Sequence, residues 1–506
     1  MHYKWRSAAA ALSVSALLLT GCSASGGDDA ELSSLNIMAP YFSPTPPAAD
    51  DPIETALSKL TGVDINVRWS PNADYTSQTN VVLAGDDVPD VMVVQNKTQG
   101  FIQTAEAGGF WDLTEYIKSG AYPNLVPADE DVQDAAGVNG KVYGVYRARD
   151  LIRYVVFLRA DWLKNLGLET PKTTEDLIKV AQAFSENDPD GNGKKDTYGL
   201  LNNSWSGIGK ATPLDAIETW YGAGNVWRDD DGKLVPTWST KEWRQALDYN
   251  REMFTKGWMN PDFPTADLTK VNEKFLNGEA GMILGVSSWA AEIYALAQKT
   301  HPETAENMIA IAPQPSGPNG DFALPTAGYS GFLSIPKSTI DTEAKLKKVL
   351  KALNDMNSEE GQRLLNNGIE GTNYTVQDGA AKYDPAQQDL TSHVQQAWLQ
   401  LNTSVNSTKY LPKLPASDYE KNVADKIKNF AAEDLGKAEL NPAAGLVSPT
   451  YTTNAAQLDQ IISDARMQYI VGAIDASGLD AAIQKWHQSG GDKVIAEFND
   501  LYKPVN

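Results

Sequence analysis

The first hundred residues alternate short apolar runs with helical segments. The apolar runs are "LNIMA" (35–39), "VDINVRW" (63–69) and "DVMVVQN" (90–96). Helical periodicity lies between them, at 53–60 and in the segment that ends at Gly85. This rhythm predicts βαβ units, and therefore an α/β fold built on an open, mostly parallel sheet. A chain of 506 residues is longer than one ordinary core, so two or more lobes are expected.

Ligands of open α/β sheets bind beyond the carboxyl ends of the strands. Six residues follow predicted strands in this way: Phe42, Trp69, Gln95, Asn96, Trp205 and Trp289. Trp and Tyr rings stack on sugar rings, whereas planar amides bind hydroxyl groups. Each of these aromatic residues has the alternative role of a core or interface side chain. Glu370 lies in a polar turn, "GIEGTNY", and is a further candidate acceptor of ligand hydrogen bonds.

The stretch "NDPDGNGKKDTYG" (187–199) has the spacing of a calcium loop and follows a helix predicted over 173–186. Counted from Asp188, side-chain oxygens fall at positions 1, 3, 5 and 9, and a glycine falls at position 6, as in an EF-hand. Position 12 is Gly199 instead of the bidentate glutamate, and a strand follows instead of a second helix. The pattern therefore predicts an isolated structural Ca²⁺ loop rather than a sensor, and the alternative is a solvated Asp/Gly turn.

The N-terminus has the features of an exported protein. Basic residues Lys4 and Arg6 precede an apolar run at 8–19 that is too short for a comfortable transmembrane helix. The run ends in "LTGC", which resembles a bacterial lipobox. We therefore predict a signal peptide at 1–21, acylation of Cys22 and a flexible tether at 22–33, which would place the protein on the membrane and facing the exterior or periplasm. The alternative is a chance cysteine near a simple signal peptide.

Composition excludes several classes of function. A net charge of −22 argues against a broad basic surface for nucleic acid. The chain has four histidines, one cysteine and no G-x-S-x-G or H-E-x-x-H motif, so serine or zinc hydrolase chemistry is poorly supported. A glycosidase needs only two carboxylates, and with 65 acidic residues that alternative stays open. We predict that the chain is not an enzyme.

Six motifs carry a resemblance to a known family. They are "VVLAGDDVPDVMV", "GGFWDLTEYI", "RADWLKNLGLETPKTTEDL", "DPDGNGKKDTYGL", "FLNGEAGMI" and "GIEGTNY". The chain resembles the family-1 extracellular solute-binding lipoproteins of bacterial ABC importers, in the oligosaccharide-binding branch that includes alginate-binding proteins. In that branch the fourth motif binds calcium structurally, and the matching residues are Asp188, Asp190, Asn192, Lys194 and Asp196. Where some relatives have an acid after the last aspartate, this chain has Thr197.

The resemblance implies a type II periplasmic-binding-protein fold with two α/β lobes joined by a hinge. The first lobe would comprise 34–150 plus 310–356, and the second 151–309 plus 357–506. A monomer would hold an oligosaccharide in the cleft, with Trp289 stacked on a sugar, and deliver it to ABC permease subunits. The other implied cleft residues are Phe42, Trp69, Gln95, Asn96, Trp205, Tyr329 and Glu370.

Arg149 and Arg153 lie near the first crossing between lobes, and if they face the cleft they allow an acidic sugar. Three alternatives remain open from the sequence: a surface lipoprotein that holds glycans without a permease, a binding protein for another solute such as a peptide, and a glycoside-cleaving enzyme.

Overall fold

The computed structural model describes residues 32–202, 207–267, 270–405 and 409–503. The predicted lipidation site Cys22 and the predicted ligand residue Trp205 lie outside these described residues. Within them, no helix combines the length and the apolar character that a membrane crossing requires.

Strands and helices alternate through the chain. The strands are β1 (Ser34–Tyr41), β2 (Asp64–Pro71), β3 (Val91–Val94), β4 (Val145–Ala148), β5 (Tyr154–Arg159), β6 (Tyr198–Leu201), β7 (Trp227–Asp230), β8 (Lys233–Pro236), β9 (Ala280–Val286), β10 (Ile309–Ala312), β11 (Tyr329–Ser334), β12 (Tyr374–Gln377) and β13 (Ala380–Tyr383). The helices are α1 (Pro52–Thr61), α2 (Asn72–Ala84), α3 (Gln99–Glu106), α4 (Thr114–Lys118), α5 (Glu130–Ala136), α6 (Ala160–Leu166), α7 (Thr174–Glu186), α8 (Pro213–Trp220), α9 (Lys241–Thr255), α10 (Val271–Leu276), α11 (Trp289–Thr300), α12 (Ala305–Met308), α13 (Glu343–Met356), α14 (Glu359–Asn367), α15 (Gln388–Gln396), α16 (Asp418–Leu435), α17 (Pro449–Ile470), α18 (Ala476–Trp486) and α19 (Asp492–Leu501).

The first sheet has the strand order β2-β1-β3-β11-β4. Strand β1 is parallel to β2 and β3, while β11 is antiparallel to both β3 and β4. Strand β4 therefore runs in the same direction as β3, and the carboxyl ends of β1, β2, β3 and β4 meet at one edge, here called the first edge. The mostly parallel sheet predicted from the sequence is confirmed for this lobe, and its fully buried β3 has the continuous apolar run typical of a covered strand.

The second sheet has the order β10-β5-β9-β6. Strand β9 is parallel to β6 and antiparallel to β5, with Val286 opposite Tyr154. The carboxyl ends of β6 and β9 therefore lie beside the amino end of β5, and this end of the sheet is here called the second edge. A separate core of apolar residues covers each face of this sheet.

Short crossing segments bring the two edges together. Only residues 149–153 separate the end of β4 from the start of β5, and a stretch of this length spans at most about 22 Å. The second crossing, residues 313–328 between β10 and β11, lies alongside the first, since the Thr326 amide donates to the Leu151 carbonyl at 2.7 Å. The segment between α16 and α17 (436–448) is a third connection, since the Ala323 amide donates to the Lys437 carbonyl at 2.8 Å and Val447 packs in the first core. The first and second edges therefore face each other across a cleft that these segments close on one side.

The packing differs from the predicted division of the chain in two places. Strand β10 pairs with β5 in the second sheet, so the return to the first lobe begins after residue 312 instead of at 310. Residues 357–405, predicted in the second lobe, pack in the first core through Leu365, Trp398 and Leu401. Strand and helix periodicity does not encode which sheet a late helix covers, because that choice depends on tertiary packing.

Candidate ligand-binding cleft

An aromatic group forms part of the first edge. Trp69, at the end of β2, is half-buried and meets Trp398 edge-to-face, with ring centroids 5.1 Å apart and an interplanar angle of 87°. Phe42 follows β1 and is 49% exposed, and its backbone amide donates to the Gln396 carbonyl at 2.9 Å. A large exposed ring at the carboxyl end of a parallel sheet is typical of a binding surface. Sequence reasoning missed Trp398, because the late segment that carries it returns to the first lobe.

Polar side chains follow β3 at the same edge. Gln95 and Asn96 line a small pocket together with Tyr75 and Asn80. The Gln95 side-chain amide donates to Asn72 Oδ1 at 2.7 Å, which fixes the orientation of both amides. Burial raises the pKa of Tyr75, whose hydroxyl lies 2.8 Å from the Val93 carbonyl. The first edge therefore places fixed amides, which both donate and accept hydrogen bonds, on the same sheet end as the exposed Phe42 ring.

A buried arginine lies beneath the first edge. Arg147, in β4, is 1% exposed, and its guanidinium donates to the Ser330 carbonyl at 2.7 Å and to Gln400 Oε1 at 2.5 Å. Its Nε has no hydrogen-bond partner within the described residues. Burial, together with the positive charge of Arg149, lowers the Arg147 pKa to about 9. Sequence reasoning missed this residue, although its neighbour Arg149 was noted.

The second edge combines a guanidinium, a hydroxyl and an indole. Arg153, just before β5, donates to Ser288 Oγ at 3.0 Å, because the pairing of β5 with β9 brings the two residues together. Trp289 begins α11 directly after this serine and is half-buried. Its ring lies so close to Gly285 that a Cβ at that position would come within 2.4 Å of ring carbons. The indole is therefore fixed against β9 and packs on a core of the second lobe, and the residue directly before it, Ser288, bonds Arg153.

The two other predicted ligand residues differ in position: Tyr329 lies at the first edge, where it pairs with Ala148 at the end of β4, and Glu370 lies outside both main sheets. Tyr329 is half-buried, its hydroxyl lies 3.3 Å from the Ala135 carbonyl at the end of α5, and burial raises its pKa to about 12. Its ring packs on the first core beside Phe332, as expected for a side chain with a role in packing. Glu370 is exposed in the turn between α14 and β12, where it forms a backbone bridge with Tyr374. Direct ligand binding by any of these residues stays a prediction.

The acidic loop after α7 is tightly folded. Asp188 has a positive φ of 50°, as do Gly191 (71°) and Gly193 (78°). The Asp188 carboxylate accepts hydrogen bonds from the backbone amides of Asn192 and Gly193, each at 3.0 Å. The Asn192 side-chain amide donates to Asp190 at 2.9 Å and to Asp196 at 3.2 Å. Three carboxylates and one amide oxygen thus gather in one short loop, and hard oxygen donors of this kind suit Ca²⁺.

The same loop lacks two possible acidic ligands for clear structural reasons. Thr197 is buried and donates to the Phe184 carbonyl at 2.7 Å, so its hydroxyl faces α7 instead of the loop. Gly199 lies directly under α7, and a Cβ there would sit 2.2 Å from the Ala181 carbonyl oxygen. Within the described residues, no cluster of three or more His, Cys, Asp or Glu side chains has the arrangement of a metal site. The donor chemistry fits Ca²⁺, but the loop shows no preformed cage.

Comparison with known proteins identifies the family. Residues 39–363 match the model of the bacterial extracellular solute-binding protein family. Lipoprotein LipO of Bacillus subtilis is 39% identical over 510 residues, which cover 99% of both chains. The chain belongs to this family. The polygalacturonan/rhamnogalacturonan-binding protein YtcQ of the same organism is 31% identical over 500 residues and 96% of each chain. The chain is therefore related to solute-binding proteins and not to enzymes, which confirms the prediction that it is not an enzyme.

Solved structures confirm the two-lobed periplasmic-binding-protein fold. An extracellular solute-binding protein from Bifidobacterium longum subsp. infantis superposes with a TM-score of 0.71 at 16% identity, over 94% of this chain and 99% of that one. The alginate-binding protein AlgQ2, without calcium ion, gives a TM-score of 0.65 at 16% identity, over 93% and 97%. FusA of Streptococcus pneumoniae, in complex with kestose, gives 0.62 at 19% identity, over 92% and 98%. At these identities the likeness shows the fold alone.

Proposed function

We propose that this solute-binding protein captures an oligosaccharide in the cleft between its two edges and delivers it to an ABC permease. The observation that carries the proposal is the pairing of an aromatic first edge, with Phe42 and Trp69, and a second edge that holds Trp289. Aromatic faces opposite oriented amides suit ligands with apolar ring faces and many hydroxyls. The related proteins YtcQ, which binds polygalacturonan and rhamnogalacturonan, and FusA, of a fructooligosaccharide transporter, support the same class of ligand.

Closure of the cleft would signal to the permease that a ligand is bound. Three crossing segments connect the lobes on one side, so rotation about them would narrow or widen the distance between the edges. A ligand that contacts both edges binds the closed state better than the open one and therefore shifts the population toward it. The closed protein would then dock on the permease. No contact among the described residues favours the two alternatives, a surface lipoprotein that only holds glycan and a peptide-binding protein.

Acylation of Cys22 is part of the proposal, because a lipid anchor would hold the binding protein close to the permease in the membrane. The "LTGC" motif and the lipoprotein name of LipO support it. Residues 22–33 are small, polar and acidic, which suits a flexible tether between the lipid and the first strand.

Substitution of Trp289 by alanine is expected to weaken oligosaccharide binding about ten- to a hundredfold, because central tryptophans at interfaces contribute about 2 kcal/mol or more. Binding can be measured by calorimetry with three probes: trigalacturonic acid, its methyl ester and kestose. Trp111→Ala is the matched control, since Trp111 lies on the first lobe at the sheet end opposite the first edge and bonds the Ile340 carbonyl. Binding of no probe by the wild-type protein, or cleavage of a probe, would overturn the proposed function.

We also propose that the loop formed by residues 188–196 binds one structural Ca²⁺. The ligands would be the side chains of Asp188, Asp190, Asn192 and Asp196 and the carbonyl of Lys194. The converging hydrogen bonds on Asn192 support the proposal, since they bring the three carboxylates into one small volume. A bound divalent cation would offset the repulsion among these carboxylates and would pin the end of α7 to the start of β6. Its role would be to stabilise the second lobe, away from the cleft.

Removal of calcium with EGTA is expected to lower the melting temperature of the protein. A ligand at a hundred times its dissociation constant adds about 2.7 kcal/mol of stability, and the chelator would remove that contribution. Asp190→Asn should abolish the chelator effect, whereas Asp86→Asn, on an exposed turn of the first lobe, should retain it. A melting temperature that is identical with calcium and with EGTA would show that the loop is a solvated turn.

A further inference from the structure

Three arginines lie within seven residues at the first crossing, in the sequence "RARDLIR" (147–153). Their hydrogen bonds go to neutral oxygen atoms. Arg147 donates to the Ser330 carbonyl and the Gln400 amide, Arg149 donates to the Ala148 carbonyl at 2.7 Å, and Arg153 donates to Ser288. Among the described residues, none of the three has a carboxylate oxygen within the 4.0 Å of an ion pair.

Other buried arginines of the same chain are paired with acids. Arg466, 2% exposed, contacts the carboxylates of Asp215 and Glu218 at 2.7 and 3.1 Å. Arg159, 7% exposed, holds Asp161 with two hydrogen bonds of 2.8 and 2.5 Å. These two buried guanidinium groups have carboxylate partners, whereas Arg147 has none among the described residues.

Outside the crossing, the half-buried Arg251 is likewise hydrogen-bonded to carbonyls, those of Tyr469 and Ile474. Three neighbouring arginines without a carboxylate partner in the described part of the chain are nevertheless notable in a protein with 65 acidic and 43 basic residues.

Placing like charges together in a partly dry environment is unfavourable unless an anion offsets them. Burial and the charge of Arg153 lower the pKa of Arg149, and the charge of Arg149 in turn contributes to the lowered pKa of Arg147. Asp150 offsets part of the charge at Arg149 without reaching ion-pair distance. The crossing thus retains an excess of positive charge where the two edges meet.

We propose that Arg149 and Arg153 bind the carboxylate groups of an acidic oligosaccharide, one that carries uronic acid units. The inference rests on the proposed function and names the substrate class of that same cleft. A guanidinium binds a carboxylate through two parallel N–H···O bonds, and such charge-assisted pairs are short and strong. Arg147, beneath the first edge, does not contact the ligand in this account and acts as a fixed positive charge behind it.

The neighbours of Arg153 match a uronic acid in particular. A uronic acid carries its carboxylate directly on the sugar ring, so the charge lies a short, fixed distance from the ring face. Arg153 lies near Trp289 in the fold, because Ser288, the residue directly before Trp289, bonds the Arg153 guanidinium at 3.0 Å. One sugar unit could therefore stack on the indole while its carboxylate reaches the guanidinium.

Calorimetry on the purified full-length chain with trigalacturonic acid and its methyl ester tests the inference, since the two probes share ring shape and differ in charge. The acid is expected to bind at least about ten-fold more tightly, which corresponds to one charge-assisted interaction. Arg153→Gln and Arg149→Gln should each weaken binding of the acid about ten-fold and leave the ester unchanged. Arg244→Gln, which removes a half-buried arginine on α9 paired with Asp480, is the control and should change neither affinity.

Failure of the inference can be told apart from failure of the proposed function. Equal affinity for acid and ester, or equal loss of both in Arg153→Gln, would overturn the inference while neutral oligosaccharide binding still supports the function. Binding of neither galacturonide together with no binding of kestose would overturn the proposed function and the inference with it. A melting temperature of each variant close to that of the wild type will show that lost affinity is not lost folding.

Discussion

Substitution of Arg466 by alanine is expected to lower the free energy of unfolding by about 3–5 kcal/mol, the usual effect of breaking a buried ion pair by removing one partner. Arg466 lies on α17 and joins three separate parts of the second lobe. Its guanidinium contacts Asp215 and Glu218 on α8 and donates to the Gly207 carbonyl at 2.7 Å. Without it, two buried carboxylates would remain beside each other.

Glu218 shows why the loss is large. Burial raises its pKa to about 7, and the Arg466 charge is the main influence that opposes this rise. In the alanine variant the pKa should rise further, so the folded protein must bind a proton at neutral pH that the unfolded chain does not hold. Because the native state then binds more protons, the stability of the variant should fall as the pH rises above the ordinary carboxyl range of about 4.5.

Urea denaturation at pH 5 and pH 8 measures both effects. Arg244→Ala is the matched control, and as a surface substitution it should change stability by no more than about 0.5 kcal/mol. Adding Glu218→Gln to Arg466→Ala should restore part of the lost stability, because one buried carboxylate is removed. A loss below about 1 kcal/mol for Arg466→Ala would mean that the triad is hydrated and not a buried pair.

Gly199→Glu is expected to lower the free energy of unfolding by about 3 kcal/mol or more. The affinity for calcium should not increase. The substitution supplies the acid that an EF-hand has at position 12, so loop spacing alone predicts stronger binding. The structure predicts the opposite, because a Cβ at Gly199 would lie 2.2 Å from the backbone of α7. Backbone cannot rotate away as a flexible side chain can, so the helix must separate from β6.

Gly436→Glu is the matched control for this substitution. Gly436 follows α16 with a φ of −72°, and a Cβ there meets no atom within 4 Å. The same change of residue should therefore alter the free energy of unfolding by no more than about 0.5 kcal/mol. Calcium titration followed by thermal melting measures both consequences of Gly199→Glu. A variant as stable as the wild type with tighter calcium binding would contradict the packing described for α7 on β6.

The first edge was largely predictable from the sequence, because strand ends are local features. The alternation over 35–96 predicts β1, β2 and β3, and the structure puts Phe42, Trp69 and Gln95 at one sheet end, as parallel strands require. The predicted helix before the acidic loop is likewise confirmed, and its Thr173 hydroxyl accepts from the Asp176 amide at 3.0 Å.

The parts that could not be predicted depend on tertiary packing. Trp398 joins the first core only because residues 357–405 return to that lobe, and no local pattern states this. Arg147 looks like a surface residue in the sequence, whereas Gln400, from the same returning segment, covers it. Tyr329 lies at the first edge through its pairing with Ala148, but its hydroxyl approaches the Ala135 carbonyl at the end of α5, a contact that depends on tertiary packing.

The distance between the two edges tests the central claim most directly. Asp74 and Glu292 are exposed in the first turns of α2 and α11, the helices that begin at the first and second edges. Spin labels on cysteines at these positions, with Cys22 replaced by serine, allow that distance to be measured by double electron–electron resonance. A shorter distance is expected at saturating concentration of whichever of the three probes binds most tightly, and Trp289→Ala should need more of that probe to reach it. An unchanged distance with saturating probe would contradict the account of a cleft that closes on its ligand.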